Sequence, residues 1–262
     1  MTKVVTVAHL REDVGKTITA VQFAYHLCQK QRVLLLDLDI GGQRGAIRKF
    51  FDIEYTSPLC DISRLLSGGI DYAVKLPEHG ALWFMDGRDQ NSHDSIEQEI
   101  GDDFQKLRNV LKASGFDWVL IDTCFLPFSL TRQAVFACDH LLIPSTKDFQ
   151  AFKTVERTLD LMREVENPIT PQSVTILLTM VEGTSLEDED YEQFGRKNLV
   201  LKHLRWDQEQ FEEDNPVEIP LDRYDLLEVG YKVFRPGQKM RIKSNSEYGS
   251  AVRSFVKKLE EQ

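Results

Sequence analysis

No stretch of the 262-residue chain approaches the ~18 consecutive apolar residues that a membrane-crossing helix needs. Cysteine is scarce. Cys28, Cys60, Cys124 and Cys138 form no CxxC pair and show no metal-ligand spacing. They are expected as reduced thiols, with Cys28, Cys124 and Cys138 in apolar runs as small buried hydrophobes. The six histidines are scattered and frame no metal site. Internal repeats and low-complexity tracts are missing too. An excess of positive charge is also lacking: 32 basic residues against 42 acidic ones give a formal net charge of -10. That excludes a protein that coats nucleic acid with its whole surface, so any such contact must come from a local patch. The opening run Met1–Ala8 is too short before Arg11-Glu12-Asp13 to read as an export signal and is expected as a strand.

What is present is an ordinary globular balance, 42% hydrophobic and 28% charged, at a length that suits a single α/β domain spanning residues 1–262. Short apolar runs alternate with helical patterns, which predicts a doubly wound, mainly parallel sheet. Strands are expected at Val4–Ala8, Arg32–Leu38, Gly80–Met85, Trp118–Ile121, His140–Ile143 and Ser173–Met180, with Ile219-Pro220 ending another. Helices are expected at Thr17–Gln31, Ile62–Leu66, Ile96–Ser114, Ala151–Val165 and Ser250–Glu261. The last has Val252, Phe255, Val256 and Leu259 on one face.

Val14-Gly15-Lys16-Thr17 lies between an apolar strand and a helix, the setting a phosphate-binding loop requires. Backbone N–H groups at a helix N-terminus face the anion, and the helix dipole favours negative charge there. Gly15 permits close backbone approach, Lys16 supplies charge to the β- and γ-phosphates, and the Thr17 hydroxyl can ligate Mg²⁺. Leu36-Asp37-Leu38-Asp39 and Val119-Leu120-Ile121-Asp122-Thr123 place carboxylates at the ends of two later strands. Ligands of open α/β sheets bind at those carboxyl ends, so Lys16, Asp39 and Asp122 should converge on one crevice equipped for phosphoryl transfer.

These segments together resemble the ParA/MinD group of deviant Walker-type ATPases, which have the P-loop NTPase fold. The family loop Lys-Gly-Gly-x-Gly-Lys-Thr is similar to Arg11-Glu12-Asp13-Val14-Gly15-Lys16-Thr17. Its second motif is similar to Val33–Asp39 and its Walker B strand to Phe116–Thr123. Ala137–Pro144, Leu178-Thr179-Met180, Ile219-Pro220 and Ser244–Leu259 also fit. The resemblance implies ATP and Mg²⁺ as cofactors, with ATP sandwiched in a homodimer that binds nonspecific DNA or membrane. It implies that Asp39 positions the attacking water and that Asp122 acts on Mg²⁺, directly or through water. Arg11, Val14, Gly15, Lys16, Thr17 and Ile18 would line the nucleotide, with Met180 and Pro220 near the adenine. A stimulating or cargo adaptor protein, weak partner-stimulated hydrolysis, and a cytoplasmic, nucleoid-associated location would follow.

The loop departs from the family pattern. Arg11 stands where the signature lysine reaches across the dimer, and Glu12 and Asp13 replace two glycines. Cys124 replaces the proline after the Walker B Asp-Thr. A carboxylate at about 4 Å from a phosphate charge costs ~4 kcal/mol at an effective dielectric near 20. Three readings stand open. Another lysine takes over, as in the carboxysome-positioning McdA branch, with Lys147 and Lys153 as candidates. Arg11 serves directly, although its planar fork is not a lysine's point charge. Or the site is that of a pseudo-ATPase adaptor kept for protein binding. A P-loop metabolic enzyme is a further class.

Residues 228–262 reverse the chain's charge, with eight basic residues against four acidic. Lys239, Arg241, Lys243, Arg253 and Lys257 are the candidate DNA surface. The rival is MinD-like membrane attachment through the last helix. That helix has Phe255 as its one aromatic and ends Glu260-Glu261-Gln262, which anionic lipid repels.

Overall fold

The computed structural model describes residues 1–39, 46–51, 53, 65–66, 73–76, 79–86, 104–125, 128–146, 149–163, 173–181, 218–220, 253, 256–257 and 260. Strands β1 (Lys3–Val7), β2 (Val33–Leu38), β3 (Val74–Lys75), β4 (Leu82–Asp86), β5 (Trp118–Thr123), β6 (His140–Ser145), β7 (Ser173–Val181) and β8 (Glu218–Pro220) form one sheet in the order β3-β4-β2-β5-β1-β6-β7-β8. All pairings are parallel except β3 with β4. The helices are α1 (Lys16–Leu27), α2 (Ala46–Phe50), α3 (Phe104–Ala113), α4 (Phe128–Ala137) and α5 (Phe149–Arg163). The expected doubly wound architecture is present.

The central strands are buried end to end: β2 (VLLLDL), β5 (WVLIDT) and β6 (HLLIPS) expose no residue. Continuous apolar runs suit a parallel strand covered on both faces. Leu34, Leu36, Val119 and Ile121 meet Leu107 and Leu111 of α3, Leu130 and Ala134 of α4, and Val155 and Leu159 of α5. Val33, Leu35, Leu120 and Trp118 meet Val21, Phe23 and Leu27 of α1, together with Ile47 and Val256. Truncating any of these buried leucines to alanine costs ~2–5 kcal/mol.

Several expected boundaries move. Helix α1 stops at Leu27, not Gln31: the Cys28 N–H still bonds the Ala24 carbonyl, but the N–H groups of Lys30 and Gln31 both converge on the Leu27 carbonyl and close the end as a turn. Gln31 is instead drawn to the sheet edge, where its side-chain oxygen accepts from Trp118 Nε1. Strand β4 runs to Asp86 and β6 to Ser145. Helix α4, edge strand β3 and the short α2 were not expected. Helix α4 escapes periodicity because Leu130, Thr131, Gln133, Ala134, Val135, Phe136 and Ala137 are all buried, so no polar face marks it. Of the segments 62–66, 96–114 and 250–261, the described parts are helical except Ser114, which lies just past the end of α3 at Ala113; the remaining residues lie outside the described set.

The amino ends of β1 and β6 are clamped by charge. Asp139 is 4% exposed. It accepts from the Val4 N–H at 2.8 Å, Arg108 Nη2 at 2.8 Å and Lys112 Nζ at 2.5 Å. Arg108 also donates to the Ala137 and Cys138 carbonyls, and Lys112 to the Thr2 carbonyl. Burial alone would raise the Asp139 carboxyl, but the Lys112 and Val4 hydrogen bonds and the Arg108 pair hold it below its ordinary value. On α1, burial and then the positive charge of Arg253 push His26 down to about 4.

Two acid limbs follow. The unfolded chain protonates His26 near ~6.5 while the fold resists until about 4, so stability falls across that window and His26→Gln flattens it. Asp139 contributes stability above the unfolded value of ~3.9 that disappears as pH falls through its lower folded value. Asp139→Asn should cost ~2 kcal/mol at neutral pH and remove the lower limb, read by urea denaturation across pH.

Candidate nucleotide-binding site

The chain turns from β1 into α1 through residues 8–15. Strand β1 lies between β5 and β6, and the chain leaves it leftward to β2 but passes from β5 rightward to β6. This is a topological switch point, where the carboxyl ends of a parallel sheet open a crevice. The loop lies over it. Its near end is held by α5: the His9 Nε2 is 3.2 Å from the Ala151 carbonyl, and the Leu10 N–H donates to Thr158 Oγ1.

Gly15 caps α1 with φ 89°, and no side chain caps the helix. The first intrahelical bond runs from the Thr19 N–H to the Gly15 carbonyl at 2.9 Å. The N–H groups of Lys16, Thr17 and Ile18 therefore have no intrahelical carbonyl and are disposed for an anion. Asp13 has φ 58°, the one positive value among described non-glycine residues. So of the two replaced glycines, position 13 demands the left-handed backbone and Glu12 does not. Aspartate tolerates that region better than most side chains. Glu12 and Asp13 are both exposed, whereas Val14 is buried.

Beneath the loop, register aligns carboxylates. Asp37 pairs with Asp86 on one side and Asp122 on the other. Registered residues of a parallel sheet share a face, so all three continue the columns of Phe84, Leu35 and Leu120 on the α1 side. Asp37 Oδ1 accepts the Asp39 N–H at 3.0 Å, which fixes Asp39 one step above the row. Asp86 receives Arg48 Nε at 2.6 Å, with side chains 1% and 3% exposed. Asp122 is 1% exposed, and neither carboxylate oxygen finds a hydrogen-bond partner of ordinary geometry among the described residues. Burial is the main reason its carboxyl is pushed up to about 7; the nearby Thr17 hydroxyl and Lys16 favour the charged form, and Asp39 opposes it.

Lys16 answers from the other side. Burial lowers its pKa, while Asp122, Asp39, Cys124 and Glu12 pull it back up. Its Nζ donates to the Arg11 carbonyl at 2.7 Å. Lys16, Asp39 and Asp122 thus converge as the sequence predicts, with Thr17 beside them. The donor set fits a magnesium–triphosphate group: uncapped N–H groups, an ammonium, a hydroxyl and an orphaned buried carboxylate. Among the described residues no cluster of three or more His, Cys, Asp or Glu could hold a metal by itself.

The other predicted residues divide. Met180 and Pro220 lie at the carboxyl ends of neighbouring strands, β7 and β8, on the same sheet edge as the loop. Lys153 is exposed on α5, two residues beyond the Ala151 that meets His9, but nothing brings it to Lys16. Cys124 is buried after Asp122, and its carbonyl accepts from Thr131 of α4. Arg253 and Lys257 are exposed on helical turns next to buried Val256. Lys147, Lys239, Arg241 and Lys243 lie outside the described residues. The Arg48–Asp86 pair was missed, although Asp86 ends an apolar strand just as Asp39 and Asp122 do.

This geometry defines a P-loop α/β nucleotide-binding protein. Residues 5–217 match the model of the CobQ/CobB/MinD/ParA nucleotide binding domain, and the chain belongs to that family. Over 207 residues it is 28% identical to the chromosome-partitioning ATPase Soj of Thermus thermophilus, covering 74% of this chain and 77% of Soj. The chain spans 66% of the length of two further curated relatives from Pseudomonas putida, both uncharacterised. Among solved structures, apo McdA of Cyanthece aligns at TM-score 0.67 with 20% identity, over 98% of this chain and 99% of that one. Cobyrinic acid a,c-diamide synthase of Mycobacterium smegmatis, solved with an ATP analogue and magnesium, aligns at 0.67 with 21% identity, over 99% and 94%.

The Asp13 backbone gives a direct test. Asp13→Val should cost ~1–2 kcal/mol because a β-branched residue resists φ 58°, whereas Asp13→Gly should not destabilise, as measured by thermal unfolding.

Proposed function

We propose that this protein is a ParA-like ATP-dependent positioning switch acting as a single domain over residues 1–262. The carrying observation is the buried Asp122, whose oxygens find no hydrogen-bond partner of ordinary geometry among the described residues, close to Lys16 and Thr17 at the uncapped start of α1. Bound Mg²⁺, held by the Thr17 hydroxyl with Asp122 behind it, would neutralise charge developing on the phosphates. Lys16 holds the β- and γ-phosphates, and the α1 N–H groups hold the anion. Val14, Gly15 and Ile18 shape the cradle, and Met180 and Pro220 flank the base. Asp39, tethered by its N–H to Asp37, orients the attacking water. Arg11, Lys147 or Lys153 serves the partner subunit's phosphates.

ATP closes a homodimer, and the dimer binds nonspecific DNA through Lys239, Arg241, Lys243, Arg253 and Lys257. A stimulating adaptor that carries the cargo triggers weak hydrolysis and release, which places the protein in the cytoplasm on the nucleoid. The exposure of Arg253 and Lys257 on one side of a helix anchored by Val256 supports a phosphate-contacting face. A pseudo-ATPase adaptor is the second reading. It is favoured by the Lys16–Arg11 bond, which occupies the ammonium within the loop, and by the exposed Glu12 and Asp13.

Light scattering behind a sizing column separates the two. A switch is a dimer with Mg²⁺-ATP and a monomer with ADP; an adaptor has the same mass with either. Asp39→Ala should trap the dimer and lower turnover by ~10²-fold or more while ATP binding persists. DNA affinity of the ATP-bound form should fall steeply with salt, and Arg253→Glu with Lys257→Glu should weaken binding and flatten the slope.

A further inference from the structure

Arg48 and Asp86 are absent from the phosphate loop, yet they form a buried ion pair of the sheet edge that holds the crevice. The pair is 2.6 Å long and nearly solvent-free, and the Arg48 guanidinium also lies 5.8 Å from the Phe84 ring centre. Such a pair gains little net stability over apolar residues of the same volume, because both ions are desolvated. Its value therefore lies in geometry. Arg48 sits on α2, which follows Asp39 in the chain, and Asp86 sits in the carboxylate row beside Asp37. The chain leaving β2 is thus held twice at this row. Asp37 takes the Asp39 N–H, and Asp86 takes the side chain that α2 sends back. Ile47 beside Arg48 packs on the α1 face, and the Ile53 N–H donates to the Arg48 carbonyl, so apolar packing and backbone bonding adjoin this charged contact.

We infer that the Arg48–Asp86 pair is a positioning device for Asp39: it fixes the carboxylate row in which Asp37, the neighbour of Asp86, tethers the water-orienting Asp39, without touching nucleotide. This rests on the proposed ATPase reading. Arg48→Lys keeps the charge but loses the planar donor fork that lies near the Phe84 ring. Asp86→Asn removes the negative charge that faces the buried guanidinium.

The test uses the full chain carrying Arg48→Lys, Asp86→Asn, or the apolar pair Arg48→Met with Asp86→Leu. Affinity for Mg²⁺-ATP is measured by calorimetry, and turnover under single-turnover conditions. All three should bind ATP within roughly twofold of wild type while the hydrolysis rate falls ~10–100-fold, as expected for a misplaced rather than missing group. The apolar pair should recover the thermal stability lost by the single variants but not their turnover. Wild-type turnover in the apolar pair would overturn the inference, and so would ATP affinity falling in step with the rate. Should the single variants fail to fold, the apolar pair decides alone. A wild type that binds ATP and never hydrolyses it overturns the ATPase reading and this inference together. A wild type that hydrolyses beside unaffected variants overturns this inference only.

Discussion

A buried carboxylate whose oxygens find no hydrogen-bond partner of ordinary geometry among the described residues, Asp122, interacts with a desolvated ammonium, Lys16, and the rest of the site is arranged around that unfinished contact. Each group is held away from its ordinary protonation behaviour by the same cause, loss of water. An anion bearing a divalent cation would relieve both, giving Lys16 a counter-charge and Asp122 a cationic neighbour. Such relief is available only to a ligand carrying both signs of charge in close order. Magnesium-bound triphosphate has that arrangement, and its differential affinity for the closed form is what a switch requires.

The two ends of the sheet treat charge in opposite ways. At the amino end, Asp139 is saturated by Val4, Arg108 and Lys112, which join β1, β6 and α3. At the carboxyl end, Asp86 is paired, Asp37 spends an oxygen on the Asp39 backbone, and Asp122 is left over. A saturated network makes the frame rigid, and a graded one leaves chemistry open where ligands enter. The register pairing β4, β2 and β5 creates this gradient, since a one-residue slip would turn the whole row to the other face.

Much of this was legible in the sequence. The near-continuous apolar runs of β2, β5 and β6 announced buried parallel strands, and Gly15-Lys16-Thr17 with Asp39 and Asp122 announced the crevice. What escaped did so for physical reasons. In helix α4 the polar Thr131 and Gln133 are buried along with the apolar residues, which blurs its amphipathic period. Past the end of α1, Gln31 bonds Trp118, a contact 87 residues away in the chain that no local pattern marks. The Arg48–Asp86 pair spans 38 residues and needs the β2–β4 register before its partners can be matched. The altered loop was the reverse case. Glu12 and Asp13 both replace family glycines, but only position 13 carries the left-handed backbone, and aspartate tolerates it better than glutamate would.

The most direct test titrates the wild-type protein and Lys16→Ala with a non-hydrolysable ATP analogue, with and without Mg²⁺, in a calorimeter. The account predicts one site per chain in the wild type, affinity lower by ~10-fold or more without Mg²⁺, and no measurable binding to the variant. Equal binding by wild type and variant, or no heat from the wild type, would contradict it.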